Sequence, residues 1–140
     1  HMEWYDADII VGSKRHPASI VQYSTARKIL SDGYYWIIRI AFGLNVRDTQ
    51  AGIKIFKKKV LNDVLPRVLE KRFVADLEWL VVANHLGYKR IYEAPVKMNF
   101  KLGDLSTASN IAGIWGIIWD STMVWVRLIF LGYYDIPHNK

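Results

Sequence analysis

Apolar and polar positions along the chain recur with periods that separate strands from helices. Residues 8–13 form a short apolar run that leads into a turn, which is typical of a buried parallel strand covered on both faces. Residues 19–32 carry apolar side chains at helical spacing, and Gly33 is expected to end that helix. A second, very apolar helix is predicted over residues 34–44. The first third of the chain thus predicts one strand followed by two helices.

The middle of the chain predicts a short strand at residues 53–56 and two helices with clear stop signals. Residues 60–69 recur at helical spacing, but Pro66 should kink or split that helix because proline lacks an amide hydrogen. A further helix is predicted over residues 75–86. It should stop at Gly87, because glycine accepts the left-handed conformation that closes many helices.

Strict alternation of apolar and polar residues from position 92 to position 101 predicts a strand with one buried face. Pro95 favours an edge position in the sheet, because it cannot donate to a neighbouring strand. Residues 101–110 are expected to form a polar loop. The order of strands and helices predicts an α/β fold.

Residues 111–131 are almost wholly apolar, but they include Asp120 and Arg127. A membrane-spanning helix needs about 20 apolar residues with few charges, so this segment reaches the length and fails on charge. We predict an amphipathic or juxtamembrane helix over residues 109–134. A membrane span and an ordinary helix packed on the sheet are the alternatives.

Composition narrows the classes of partner. Lys and Arg number 19 against 13 Asp and Glu, and this basic balance attracts nucleic acid, anionic lipid or phosphorylated substrates. The chain has no nucleic-acid motif and no regular basic stripe with exposed aromatic residues, so we expect no nucleic-acid partner. The absence of cysteine excludes disulfides and a cysteine-based zinc site. The opening residues His1 and Met2 are typical of a cloning remnant and are left out of the fold prediction.

Residues 48–56, which read Asp-Thr-Gln-Ala-Gly-Ile-Lys-Ile-Phe, place an acid, an amide, a glycine and a lysine in one tight turn. Glycine lets the backbone approach a ligand closely and Lys54 supplies a point charge, which suits an anionic ligand. A polar turn between two buried segments is the alternative interpretation. Other polar groups that suit phosphate binding are Lys14 and Arg15 after the first strand, and Arg27 with Ser31 on one helix face.

Asp6 and Asp8 have the composition of a metal-binding acid pair. They precede the first strand, whereas ligand sites in open α/β sheets lie at the carboxyl ends of strands. The histidines show no metal-ligand spacing. We therefore expect no metal site within these residues.

Five motifs in sequence order resemble those of the polyprenyl-phosphate glycosyltransferases. They are residues 8–15 (Asp-Ile-Ile-Val-Gly-Ser-Lys-Arg), Arg27 with Ser31, residues 48–56, residues 75–78 (Ala-Asp-Leu-Glu) and residues 93–96 (Glu-Ala-Pro-Val). These are inverting family-two enzymes of GT-A (Rossmann-like) fold, and the dolichyl-phosphate glucosyl and mannosyl transferases are the best-known types. The resemblance covers about residues 8–106, and residues 48–56 are closer to the glucosyl type.

The resemblance implies transfer of a hexose from a nucleotide-diphosphate sugar to a polyprenyl (dolichyl) phosphate at the cytoplasmic face of a membrane. By that resemblance, the acceptor phosphate would be held by Lys14, Arg15, Arg27 and Ser31. The catalytic centre would contain Asp48, Gln50, Asp76 and Glu78. A loop with Lys101 and Ser106 would cover the donor diphosphate. The full-length enzyme would use a divalent metal, Mg or Mn.

The resemblance also implies a domain arrangement. Residues 3–108 would be the C-terminal half of the GT-A domain, and residues 109–134 the amphipathic helix. The nucleotide-binding half with its metal-binding acids would precede residue 8, so we expect an inactive fragment that binds no metal. An exposed sheet edge predicts self-association. The alternative function is a non-catalytic membrane-binding or interaction module, with its basic faces on anionic lipid.

Overall fold

The computed structural model describes residues 2–3, 5–19, 25–69, 74–97 and 111–136, without the side chains of residues 25–27 and 111–114. Three strands and four helices are present in these ranges, with a short 3-10 helix near the end. In chain order they are β1 (Ile9–Ser13), α1 (Thr25–Phe42), β2 (Lys54–Phe56), α2 (Lys58–Val64), α3 (Ala75–His85), β3 (Ile91–Pro95), α4 (Ile111–Ile129) and the 3-10 helix Tyr133–Asp135. The predicted α/β class is confirmed at this level.

The sheet has the order β2-β1-β3, with β1 in the centre. β1 runs parallel to β3 and antiparallel to β2, and all five of its residues are buried. The prediction of a buried parallel strand is therefore confirmed for the β1–β3 pair, whereas β2 runs the other way. Gly12 is the tightest point, because a Cβ there would lie 2.8 Å from Val96 Cγ1 and 3.3 Å from Ile53 Cβ.

The expected helix break at Gly33 is wrong. α1 runs without interruption from Thr25 to Phe42, and the chain leaves the helix at Gly43, which has a φ of +64°. Gly33 is exposed, and a Cβ there would touch nothing within 4 Å. The cost of this glycine is limited to helix propensity, about 1 kcal/mol, and the burial of Ile38 and Phe42 from the same helix offsets it.

The two predicted helix stops that follow are confirmed. α2 ends at Val64, two residues before Pro66, because the proline can neither donate a helical hydrogen bond nor fit against the preceding turn. α3 ends at His85, and Gly87 adopts a φ of +95° just beyond it.

β3 lies at an edge of the described sheet, as Pro95 predicts. The predicted buried face is wrong for Tyr92, whose side chain is 41% exposed. Its ring packs on Tyr5 at a centroid distance of 5.7 Å, on the surface and away from the core. Alternation in the sequence shows which side chains share a face of the sheet, but it does not show whether another element covers that face. Residues 98–110, with the rest of this strand prediction and the polar loop, lie outside the described residues.

The last predicted element is a helix, α4, which packs on the rest of the fold through the buried residues Ser121 and Val124. Trp115 and Trp119 on the same helix are exposed. Among the described residues, no helix combines the length and apolar character that crossing a membrane requires.

Candidate functional site

Three chain segments meet at one end of the sheet. The carboxyl ends of β1 and β3 lie side by side, since Ser13 pairs with Pro95, and the turn before β2 joins them because Gly12 N donates to Ile53 O at 2.8 Å. Ligand sites in open α/β sheets form at the carboxyl ends of parallel strands. The residues that follow β1, Lys14 and Arg15, are therefore placed where a ligand would be met.

Arg15 is fixed between this end of the sheet and α1. Its Nη1 donates to the Ser31 carbonyl oxygen at 2.7 Å and to the Ser31 hydroxyl at 2.9 Å. Its Nη2 pairs with the half-exposed Asp32 carboxylate, and the guanidinium lies 5.7 Å from the Tyr35 ring centre. Arg15 and Ser31, both predicted for acceptor phosphate binding, are thus in direct contact. Asp32 and Tyr35 were missed. The position of Tyr35 four residues beyond Ser31 was a usable helical-spacing signal, whereas Asp32, one residue beyond Ser31, gave no such signal.

Asp48 is buried and faces the same loop. Its Oδ2 accepts a hydrogen bond from the Lys14 backbone N at 2.9 Å and lies 3.9 Å from Lys14 Nζ. The backbone N atoms of Arg47 and Asp48 donate to Glu93 Oε1 at 3.0 and 3.1 Å. Glu93 belongs to the motif at residues 93–96, but sequence reasoning gave it no role of its own, because its contact with Asp48 spans 45 residues.

Lys54 is enclosed next to these groups. Its side chain is only 5% exposed, its Nζ lies 3.0 Å from Asp76 Oδ1, and it donates to the Ala51 carbonyl. Burial lowers the pKa of Lys54, and the Asp76 and Asp48 carboxylates act against that shift. Asp76 sits in the first turn of α3, where a negative charge is favourable. Lys54, which the sequence suggested as a cation for an anionic ligand, therefore already forms an ion pair with Asp76.

A pH dependence follows from the lowered pKa of Lys54. The folded protein holds this proton less tightly than the unfolded chain, so the free energy of unfolding should rise with pH in the window below the usual lysine value of 10.5. We expect urea denaturation between pH 7 and pH 10 to show this rise in the wild type and its loss in Lys54→Met. Lys59→Met, at an exposed position, is the matched control. Identical pH slopes for all three proteins would contradict the burial of the Lys54 charge.

Gln50 turns toward the helices. It lies against the Tyr34 hydroxyl, which is also 3.0 Å from Ser121 Oγ. Burial raises the pKa of Tyr34, so this hydroxyl stays protonated. The Gln50 amide nitrogen is buried and has no hydrogen-bond partner among the described residues. Gln50 thus joins the Asp48 turn to α1, and Tyr34 joins α1 to α4.

Glu78, predicted for the catalytic centre, is fully buried. Its Oε1 accepts from the Tyr134 hydroxyl at 2.7 Å and lies 3.7 Å from Arg127 Nη1, and its Oε2 accepts from Leu69 N at 2.9 Å. Burial, together with the Glu78 carboxylate, raises the pKa of Tyr134. These contacts connect α3 to α4 and to the 3-10 helix that carries Tyr134. The sequence position of Glu78 did not indicate that its carboxylate would be buried against protein groups.

Three predicted site groups cannot be placed. Lys101 and Ser106, assigned to the donor diphosphate loop, lie outside the described residues, and so does the side chain of Arg27.

Asp6 and Asp8, which precede β1 at the opposite end of the sheet, form ion pairs with basic side chains. Asp8 lies 2.9 Å from Arg90 Nη2, and Asp6 pairs with both Arg90 and Lys57. No cluster of three or more metal-ligating side chains occurs in the part of the chain that the structure describes. Asp6 and Asp8 thus form ion pairs with Arg90 and Lys57 in this structure.

Comparison with curated proteins finds relatives of one kind. A dolichyl-phosphate β-glucosyltransferase of Drosophila melanogaster is 26% identical over 132 residues, covering 91% of this chain and 39% of the relative. A dolichyl-phosphate β-glucosyltransferase of Trichomonas vaginalis is 33% identical over 98 residues, covering 69% of this chain and 28% of the relative. An undecaprenyl-phosphate mannosyltransferase of Micrococcus luteus is 30% identical over 110 residues, covering 76% and 45%. The chain is similar to part of a polyprenyl-phosphate glycosyltransferase. The resemblance predicted from the five motifs is thereby confirmed.

The chain spans less than half the length of each of these three relatives. Glucosyl and mannosyl transferases both occur among them, so the comparison does not select the sugar. No protein-family profile matches the chain, and no solved structure does.

Proposed function

We propose that the protein carrying this chain transfers a hexose from a nucleotide-diphosphate sugar to a polyprenyl phosphate, and that these residues bind the acceptor phosphate. The observation that carries the proposal is the Arg15 guanidinium, which is held at the carboxyl end of β1 against Ser31 of α1. Similarity to the dolichyl- and undecaprenyl-phosphate transferases supports it. Because the chain spans only part of these relatives, the transfer reaction is proposed for the whole protein.

The chemistry of a phosphate acceptor fits this arrangement. A lipid phosphate is already ionised near neutral pH, so it needs little help from a general base. It needs orientation and nearby cations, because the donor diphosphate is also an anion. Arg15 presents a planar fork, and its half-exposed partner Asp32 is a carboxylate that a phosphate can replace. Lys14 adds a second cation beside it.

The surface formed by α1 and α4 supports action at a membrane. The two helices lie side by side, with a narrow apolar groove between them that includes Ile38 and Trp125. Both helices and the turn after α4 expose large apolar side chains, among them Ile29, Leu30, Ile40, Trp115, Trp119 and Phe130. Exposed aromatic and aliphatic residues beside basic groups are typical of proteins that lie in the membrane interface. Ser31, the partner of Arg15, is on α1, so the phosphate site would adjoin this surface.

The sheet and the remaining site residues would take part in the same reaction. The three-stranded sheet would be part of a GT-A domain, and Asp48, Gln50 and Asp76 would lie near the transferred sugar. Lys101 and Ser106 would cover the donor diphosphate, and the enzyme would work at the cytoplasmic face. Glu78 is proposed as a structural residue, because its carboxylate is enclosed by Tyr134 and Leu69.

A non-catalytic membrane-binding module is the second candidate. The exposed apolar side chains of α1 and α4 favour it, because they would suffice for membrane binding without any sugar transfer. This candidate requires neither the Arg15–Ser31 contact nor a lipid phosphate.

A transfer assay separates the two candidates. The whole protein would be incubated with labelled nucleotide-diphosphate hexoses in liposomes that contain either polyprenyl phosphate or polyprenol. Label extracted with the lipid only when the phosphate is present supports the transferase. Membrane binding without lipid-linked label under any donor would instead favour the module.

Self-association is expected through β2. This strand pairs with β1 on one side, is an edge strand of the described sheet, and exposes Ile55, and the preceding residue Ile53 is exposed as well. Light scattering of the 140-residue chain should give a mass above that of one chain, and Ile55→Lys should lower it toward the monomer. A monodisperse wild-type monomer would contradict this expectation.

A further inference from the structure

Glu93 connects β3 to the turn that carries Asp48. It lies in β3 opposite Val11 of the central strand and is half-buried. One of its carboxylate oxygens, Oε1, accepts the backbone N–H groups of both Arg47 and Asp48, at 3.0 and 3.1 Å. Asp48 is a buried residue whose backbone donor needs a partner, whereas the bond from Arg47 is exposed; charged acceptors give the stronger hydrogen bonds. Glu93 therefore supplies the hydrogen-bond acceptor that a backbone carbonyl would supply in a helix or a strand.

The Asp48 carboxylate continues the same chain of contacts. Its Oδ2 accepts the backbone N–H of Lys14 at 2.9 Å, directly after β1. The next residue is Arg15, whose guanidinium reaches Ser31 on α1. Two carboxylates, each bound to backbone amides, thus connect β3, the turn at residues 47–48 and the loop after β1.

We propose that Glu93 is a positioning residue for the acceptor site. It fixes the turn at residues 47–48 so that Asp48 faces Lys14 and holds the loop that carries Arg15. This role deepens the proposed function and rests on it for the identity of the ligand, whereas the contacts themselves do not depend on it. Glu93 acts through its oxygen atom as an acceptor, since the two N–H groups occupy Oε1 and both belong to the backbone.

The acceptor role and a charge-based role predict different results for glutamine. Glu93→Gln keeps a carbonyl oxygen of the same reach and loses the charge, whereas Glu93→Ala removes the acceptor. If Glu93 instead served as a catalytic acid or base, or as a charge facing the substrate, glutamine would be as damaging as alanine.

Amide hydrogen exchange measured by NMR on the 140-residue chain tests the proposal. We expect Glu93→Ala to speed exchange of the Arg47, Asp48 and Lys14 amides by about tenfold or more, and Glu93→Gln to stay within about threefold of the wild type. The Leu86 amide, bonded to Val82 O in α3, is the control for global stability. Glu93→Asp, which shortens the reach by one methylene, serves as a second variant and should also speed exchange.

The same samples are titrated with farnesyl phosphate and with farnesol. We expect Glu93→Ala to weaken farnesyl phosphate binding and Glu93→Gln to retain it. Unchanged exchange in Glu93→Ala, or equal acceleration of Leu86, would overturn the positioning role, as would a glutamine variant that behaves like alanine. A wild-type chain that does not distinguish farnesyl phosphate from farnesol would overturn the proposed function, while the exchange rates would still decide the role of Glu93.

Discussion

Replacing Glu78 with alanine should lower the free energy of unfolding by about 3 kcal/mol, because one buried and one part-buried donor lose their acceptor at about 1–3 kcal/mol each. Those donors are the Tyr134 hydroxyl and the Leu69 backbone N–H, at 2.7 and 2.9 Å from the carboxylate. The Glu78 and Tyr134 side chains are both fully buried, so water cannot replace the bond between them without opening the fold. Urea denaturation followed by fluorescence measures the change.

A double-mutant cycle with Tyr134→Phe provides the control. Tyr134→Phe alone should cost about 1 kcal/mol, because it removes one hydrogen bond and leaves Glu78 with its remaining partners. The two changes together should cost less than their sum, since they share the bond between Tyr134 and Glu78. An unchanged unfolding free energy in Glu78→Ala, combined with loss of sugar transfer by the whole protein, would return Glu78 to the catalytic centre.

Replacing Arg15 with alanine should weaken binding of a polyprenyl phosphate by about tenfold to a hundredfold. A hydrogen bond to a charged group contributes about 1.5–3 kcal/mol, and each 1.4 kcal/mol is a factor of ten in affinity. The guanidinium is preorganised by Ser31 and by the Tyr35 ring, so little conformational entropy remains to be lost on binding. Calorimetric titration with farnesyl phosphate measures the effect.

Two variants accompany this measurement. Arg15→Lys keeps the charge but loses the planar fork, so its affinity should lie between those of the wild type and the alanine variant. Lys59→Ala removes one exposed cation near the opposite end of β1 and should leave the affinity unchanged. Equal losses in Arg15→Ala and Lys59→Ala would mean that net charge alone attracts the ligand, and would contradict a built phosphate site.

The parts of the fold that sequence reasoning predicted correctly depend on local signals. The buried strand β1 shows as a short apolar run, and the stops before Pro66 and at Gly87 follow from the backbone limits of proline and glycine. Lys14 and Arg15 were placed correctly at the carboxyl end of β1 for the same reason, because a turn that follows a buried strand is readable in the sequence.

The features that sequence reasoning missed depend on packing and on contacts between residues that are far apart in the sequence. Gly33 stays helical because the rest of α1 packs well enough to offset one exposed glycine. The acceptor for the Asp48 backbone is Glu93, and the burial of Glu78 depends on Tyr134, which is 56 residues away. A local pattern of charges cannot show which carboxylates face a ligand and which face a backbone amide.

Co-sedimentation of the 140-residue chain with neutral liposomes tests the central claim most directly. The liposomes would contain a few per cent of either polyprenyl phosphate or polyprenol, and Arg15→Ala would be measured in parallel. We expect binding to increase with polyprenyl phosphate and the increase to disappear in Arg15→Ala. Equal binding to both kinds of liposome, unaffected by the mutation, would contradict an acceptor phosphate site and leave membrane binding by the apolar side chains of α1 and α4.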